Sequence, residues 1–218
     1  MRFITKLLPL ILLSLFASPV FKANAQTYLP VGPQTNVSVN TIIQGGWEPC
    51  YSDTYDVHMD VDTVLANCTG DRLMLTCLET GSNVIALLAQ GERSDVIFDT
   101  GNTQDLHIAN GVGWYFNDSG LDSWGFVRAG DSVSKNNCDT DASGANDERL
   151  CWHLNDDGGY RCGATIDLNF STAFQRIVLQ PAVERSSIPT LSEWGLIAMA
   201  GFMGIAGLLV MRRRKLTA

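Results

Sequence analysis

Apolar and polar residues alternate along much of the middle of this chain, the period-2 pattern of strands with one buried face. Val57-His58-Met59-Asp60-Val61-Asp62 shows it clearly. Leu73 to Leu78 and Asn83 to Ala89 are two further apolar runs, and Glu79-Thr80-Gly81-Ser82 between them has hairpin-turn chemistry. The same pattern predicts strands at Asp95 to Phe98, Gly113 to Phe116, Trp124 to Val127, Leu150 to His153, Tyr160 to Cys162 and Phe174 to Leu179. Turn clusters punctuate them at Asp99-Thr100-Gly101-Asn102, Asn117-Asp118-Ser119-Gly120, Ala129-Gly130-Asp131 and Asn155-Asp156-Asp157-Gly158-Gly159. Residues 26–46 form a polar lead-in with one edge strand around Val37 to Ile43, and only Asp62 to Asn67 suggests a helical turn. No repeat of solenoid or propeller period is present. The expected fold is all-β, a single antiparallel β-sandwich or jelly-roll-like domain over residues 47–180.

The two ends have a different pattern. Arg2 and Lys6 precede an apolar stretch from Leu7 to Phe16, and Ala23-Asn24-Ala25 stands before Gln26. That is the order of a secretory signal peptide over residues 1–25, cleaved after Ala25 by signal peptidase, with Ala23 and Ala25 as the small residues of the site. After a linker at residues 181–187 comes a tail over residues 188–218, with an uncharged apolar run from Gly195 to Met211. Crossing a bilayer core takes about 17–25 helical residues, so this run predicts a transmembrane helix over 195–211. The basic cluster Arg212, Arg213, Arg214 and Lys215 would then lie in the cytoplasm and the rest of the chain across the inner membrane.

Charge and cysteine usage agree with export. Between residues 26 and 187 eight Lys and Arg face twenty-two Asp and Glu, a net charge of −14. So acidic a segment repels phosphate backbones, which argues against nucleic acid as a partner; solubility or divalent-cation binding would explain it. All six cysteines (Cys50, Cys68, Cys77, Cys138, Cys151, Cys162) lie in that segment. An even count in an oxidising compartment predicts disulfides and no free thiol. Their spacing lacks the paired units of a structural zinc site, and sequence-near pairs such as Cys68 with Cys77 or Cys151 with Cys162 would staple hairpins.

The tail carries a more specific string. Ile188-Pro189-Thr190-Leu191-Ser192-Glu193-Trp194-Gly195, a short apolar span and a basic cluster closely resemble the IPTL-CTERM (IPTLxxWG) sorting domain of Gram-negative bacteria. The matching positions are Ile188, Pro189, Thr190, Leu191, Trp194 and Gly195. The resemblance implies an exosortase-type membrane enzyme as processing partner. It also implies anchorage in the inner membrane first, then delivery to the outer membrane, cell surface or exterior. It covers about residues 188–215 and concerns transport, not activity.

Candidate chemistry in the exported segment is sparse. Val96-Ile97-Phe98 followed by Asp99, Thr100 and Gly101 resembles the hydrophobic-Asp-Thr-Gly motif of aspartic proteases. That chemistry needs two carboxylates sharing a proton, so one motif would require a homodimer. Turn chemistry alone explains the same residues. Asp139, Asp141 and Ser143, followed by Gly144, partly match a calcium loop, but Leu150 stands where the bidentate acid belongs, so a solvated acidic loop is the alternative to calcium. His58, His107 and His153 form no metal-binding pair, and neither a G-x-S-x-G elbow nor a phosphate loop is present. Trp114, Tyr115, Phe116, Trp124, Phe126, Trp152 and Tyr160 crowd one half of the domain. Rings among amides and carboxylates suit glycans, and alternate rings on strands also fill cores.

No cofactor is indicated beyond that calcium. The expected function is therefore an exported, surface-sorted protein with a binding or structural role in the cell envelope or matrix, its ligand a glycan or a surface protein. A secreted hydrolase, such as a dimeric aspartic protease using Asp99, is the alternative.

Overall fold

The computed structural model describes residues 28–101, 105–117, 123–133, 138, 148–154, 158–182, 197, 199–206 and 212. The chain divides into two compact units, Met1–Pro181 and Ala182–Ala218.

The first unit is built mostly of strands: β1 (Gln34–Ser38), β2 (Trp47–Thr54), β3 (Arg72–Glu79), β4 (Val84–Glu92), β5 (His107–Ala109), β6 (Val112–Asn117), β7 (Ser123–Arg128), β8 (Leu150–His153), β9 (Gly159–Cys162) and β10 (Phe174–Pro181). Among the described residues three short helices, α1 (Val39–Gln44), α2 (Val61–Asn67) and α3 (Arg93–Val96), join them, so the fold is mostly rather than wholly β. One sheet has the order β1-β4-β3-β10-β2 and the other β5-β6-β7-β8-β9, every ladder antiparallel.

The central core cluster draws side chains from both sheets. Leu73, Leu75, Leu87 and Val178 come from the first, and Trp114, Phe116, Trp124, Phe126 and Trp152 from the second. Phe116, Trp124 and Trp152 lie opposite one another on successive strands, so their rings meet edge to face at 5.7 Å each. Such pairs add roughly 0.5–1.5 kcal/mol each to the gain from burial. The intervening Tyr115 points to the outer face and donates from its hydroxyl to Leu150 O at 2.8 Å. It crosses Gly125, where a Cβ would sit 2.6 Å from the Tyr115 hydroxyl and 2.1 Å from Leu150 O. Burial settles the aromatic candidates: each of the seven is core or packed against it.

Several predicted elements are displaced, each for a physical reason. The β3 and β4 hairpin forms as expected, its turn closed by Ser82 N donating to Glu79 O at 2.9 Å, with Gly81 at φ +83°. Residues 57–62 are a turn and the start of α2, not a strand. Met59 and Val61 are buried as their alternation demands, but the Asp60 carboxylate accepts from Thr63 N at 3.3 Å and Thr63 Oγ1 at 2.8 Å, capping a helix. Those bonds hold the Asp60 carboxyl below the usual carboxylate range. Asp95 to Phe98 is likewise no strand: Arg93–Val96 turns as α3, held by Ile97 N to Arg93 O at 3.1 Å and by Trp124 Nε1 to Val96 O at 3.0 Å. The edge strand of the lead-in lies at Gln34–Ser38, and Val39–Gln44 folds as α1 over Ile42. β2 is the other edge of that sheet and tolerates Pro49, which cannot donate to a ladder.

All six cysteines are paired, in three disulfides and not in the sequence-near pairs: Cys50 with Cys68, Cys77 with Cys162, and Cys138 with Cys151. Cys68 sits at the C-cap of α2 and meets β2, whereas Cys77 and Cys162 lie on strands of different sheets. Hairpin neighbours in sequence are not the pairs that folding brings together.

In the second unit Ile197 and residues 199–206 are helical, with Ile197, Met199, Phe202, Met203 and Ile205 exposed. Among the described residues no helix is long and apolar enough to cross a membrane, and the remainder of the expected 195–211 span lies outside them.

Candidate functional site

Many residues singled out from the sequence fall outside the described part of the chain. These are Ala23 and Ala25, the sorting residues Ile188 to Gly195, Arg213 to Lys215, and Asp139, Asp141 and Ser143 of the calcium loop. Arg212 is helical and exposed. The disulfide between Cys138 and Cys151 closes the segment that carries the acidic loop.

Asp99 is exposed, and its Oδ1 accepts from Gly101 N at 2.7 Å, a hydrogen bond two residues along the chain that defines an Asx turn. Thr100 N donates to Phe116 O at 3.3 Å and the Asn117 amide donates to Gly101 O, so the turn is tied to β6. Gly101 has φ +64°, the left-handed conformation that glycine adopts without strain. An asparagine at position 99 keeps the accepting oxygen, so Asp99→Asn is expected to shift stability by less than about 1 kcal/mol in urea denaturation. The histidines remain on separate elements. His107 bonds Asp95 at 2.8 Å and stacks on Phe98 at 4.4 Å, His153 packs edge to face on Tyr160 at 6.0 Å, and His58 is exposed in the turn after β2.

Among the described residues a concave feature lies at the turn end of the β3–β4 hairpin. A groove of about 300 Å³ is lined by Asn36, Glu79, Ser82, Val84, Ala86, Cys162, Thr165 and Phe174. Each arrives by a separate constraint. The hairpin supplies Glu79, Ser82, Val84 and Ala86, and β1, paired with β4 at Thr35–Leu87 and Val37–Ile85, supplies Asn36. Phe174 opens β10 directly opposite Glu79, its ring stacked on Tyr55 at 6.3 Å. The Cys77–Cys162 disulfide brings in the β9 end, where mutual backbone bonds between Cys162 and Thr165 of 3.0 and 3.1 Å fix a tight turn.

The polar side chains of this groove are unevenly engaged. Ser82 Oγ accepts from Val84 N at 3.0 Å and donates to Val84 O at 3.1 Å. The Asn36 amide, the Glu79 carboxylate and the Thr165 hydroxyl make no hydrogen bond or ion pair among the described residues. Asn36 holds φ +56°, which asparagine tolerates better than most residues, so the backbone fixes where that amide starts. No sequence motif announces this site. Its residues span positions 36 to 174 and meet only through sheet pairing and a disulfide.

No group of His, Cys, Asp and Glu able to hold a metal ion occurs among the described residues. No curated protein and no solved structure matches the chain. A family comparison matches residues 186–214 to the IPTL-CTERM motif. The tail of this chain is therefore an IPTL-CTERM motif, a signal of export and sorting toward the cell surface.

Proposed function

We propose that this chain is an exported protein, sorted to the cell surface through its tail, whose β domain serves a binding or structural role in the bacterial envelope or extracellular matrix. The carrying observation is the IPTL-CTERM match at residues 186–214. Three disulfides and the absence of free cysteines support an oxidising destination. A single domain in which two five-stranded sheets share a core supports a β-sandwich built to present surfaces rather than to undergo large motions.

In this scheme signal peptidase removes residues 1–25. The apolar run Gly195–Met211 holds the chain in the inner membrane with Arg212–Lys215 in the cytoplasm, and an exosortase-type enzyme cuts near Ile188. The exposed Ile197, Met199, Phe202, Met203 and Ile205 suit contact with lipid. The test is intact mass and cell fractionation from the native host, with and without that enzyme. A product ending near Ile188 and found beyond the inner membrane is expected when the enzyme is present, and an uncut inner-membrane form when it is deleted. A C-terminus left whole in both strains would overturn the proposal.

A further inference from the structure

We infer that the groove at the β3–β4 hairpin end is a binding site for one uncharged pyranose unit of a glycan. This deepens the binding role proposed above and rests on it. A groove of about 300 Å³ stands at the lower end of small-molecule sites, the scale of a single sugar ring rather than of a peptide or protein partner. A pyranose presents hydroxyls that each donate and accept, with an apolar C–H face. The groove answers both properties.

The Glu79 carboxylate is a pure acceptor, the Asn36 amide both donates and accepts, and the Thr165 hydroxyl does the same, and all three are unengaged by the protein among the described residues. Their energetic state favours a ligand. Groups left wet in the free protein lose little by exchanging water for sugar hydroxyls, and the carboxylate makes the stronger, charge-assisted bonds. Val84, Ala86 and the half-buried Phe174 offer an apolar surface for the C–H face. Phe174 is held in place from its other contacts, since Tyr55 stacks on it and its residue is locked into the β10 ladder, so binding orders little that is loose.

Charge selects among sugars. Among the described residues no cation lines the groove and Glu79 is its single ionisable side chain, and the surrounding exported segment is strongly acidic. A uronate or sugar phosphate would therefore be repelled, whereas a neutral ring is not.

The test uses the full-length protein in detergent, with the methyl glycosides of glucose, galactose, mannose and N-acetylglucosamine and with methyl glucuronide as probes, read by saturation-transfer NMR and titration. At least one neutral glycoside is expected to bind. Glu79→Ala and Asn36→Asp should each weaken it by about ten-fold, the loss of one strong hydrogen bond, while methyl glucuronide gives no transfer. Both variants lie at exposed positions, and an unchanged urea midpoint verifies that they fold. The inference is overturned if no neutral glycoside binds, if neither variant weakens binding, or if the glucuronide binds as well as the glucoside. Tail processing is scored on the same protein by mass, so failure of the sugar site and failure of the sorting proposal are separately visible.

Discussion

Replacing Cys77 and Cys162 together by alanine is expected to lower the unfolding free energy by about 4 kcal/mol, the largest loss of any single disulfide in this protein. The argument is one of chain entropy. A cross-link restricts the unfolded ensemble more as the loop it closes lengthens, and this one joins residues 85 apart, against 18 for Cys50–Cys68 and 13 for Cys138–Cys151. Loop-closure arithmetic gives roughly 4.5 kcal/mol for the long span and about 3 kcal/mol for each short one. Two native-state effects accompany it. Both cysteines are buried in the central cluster, so alanine also leaves a small void there, and the link is the one that joins a strand of the first sheet to a strand of the second. Urea denaturation of the three double-alanine variants should rank them with the Cys77–Cys162 pair lowest. A loss no greater than that of the short-loop variants would mean that the two sheets are already held close in the unfolded chain. The same substitution should weaken sugar binding in the folded protein, because Cys162 and its turn partner Thr165 line the groove.

How much of this molecule is legible in its sequence depends on how local the determining physics is. The β3–β4 hairpin is legible because both strands and the Gly81 turn are encoded within twenty-one residues. The alternation of Trp114, Tyr115 and Phe116 likewise declares two faces, and the structure buries Trp114 and Phe116 centrally and Tyr115 on the outer side. Alternation fails at Val57–Asp62, because burying Met59 and Val61 does not require a ladder partner when Asp60 can cap a helix instead. It fails again at Asp95–Phe98, where long-range bonds from Trp124 and His107 fix a helical turn. The pairing Cys77–Cys162 and the convergence of Asn36, Glu79, Thr165 and Phe174 are set by strand order, which no local pattern records. The tail is the opposite case. Its IPTL-CTERM match is one contiguous string over residues 186–214, legible without any fold.

Arg176→Met is expected to stabilise the protein by about 1–3 kcal/mol, because the native side chain is a buried cation with too few partners. Arg176 is fully buried in β10, on the face that carries Val178 into the central core. Its Nη2 donates to Val57 O, but among the described residues Nε and Nη1 have no hydrogen-bond partner. Asp53, directly opposite on β2, accepts from Thr54 N at 2.9 Å and forms no ion pair with Arg176 among the described residues. The Tyr51 hydroxyl lies beside the guanidinium and interacts with it, though among the described residues it makes no hydrogen bond of good geometry. Burial pushes the Tyr51 phenol above its ordinary range, while the neighbouring Arg176 pulls it back. Taking a cation from water costs several kcal/mol, and one carbonyl with the nearby phenols of Tyr51 and Tyr55 returns only part of it. Methionine has similar length, fills the space with apolar atoms and leaves Val57 O as the one new orphan, a penalty of about 1–3 kcal/mol that the removed charge should outweigh. Urea midpoints decide the sign. The Tyr51 phenol should titrate at still higher pH in the variant, since the charge that opposes burial is gone. A destabilised variant would show instead that the guanidinium supports the turn around Val57 more strongly than its desolvation opposes folding.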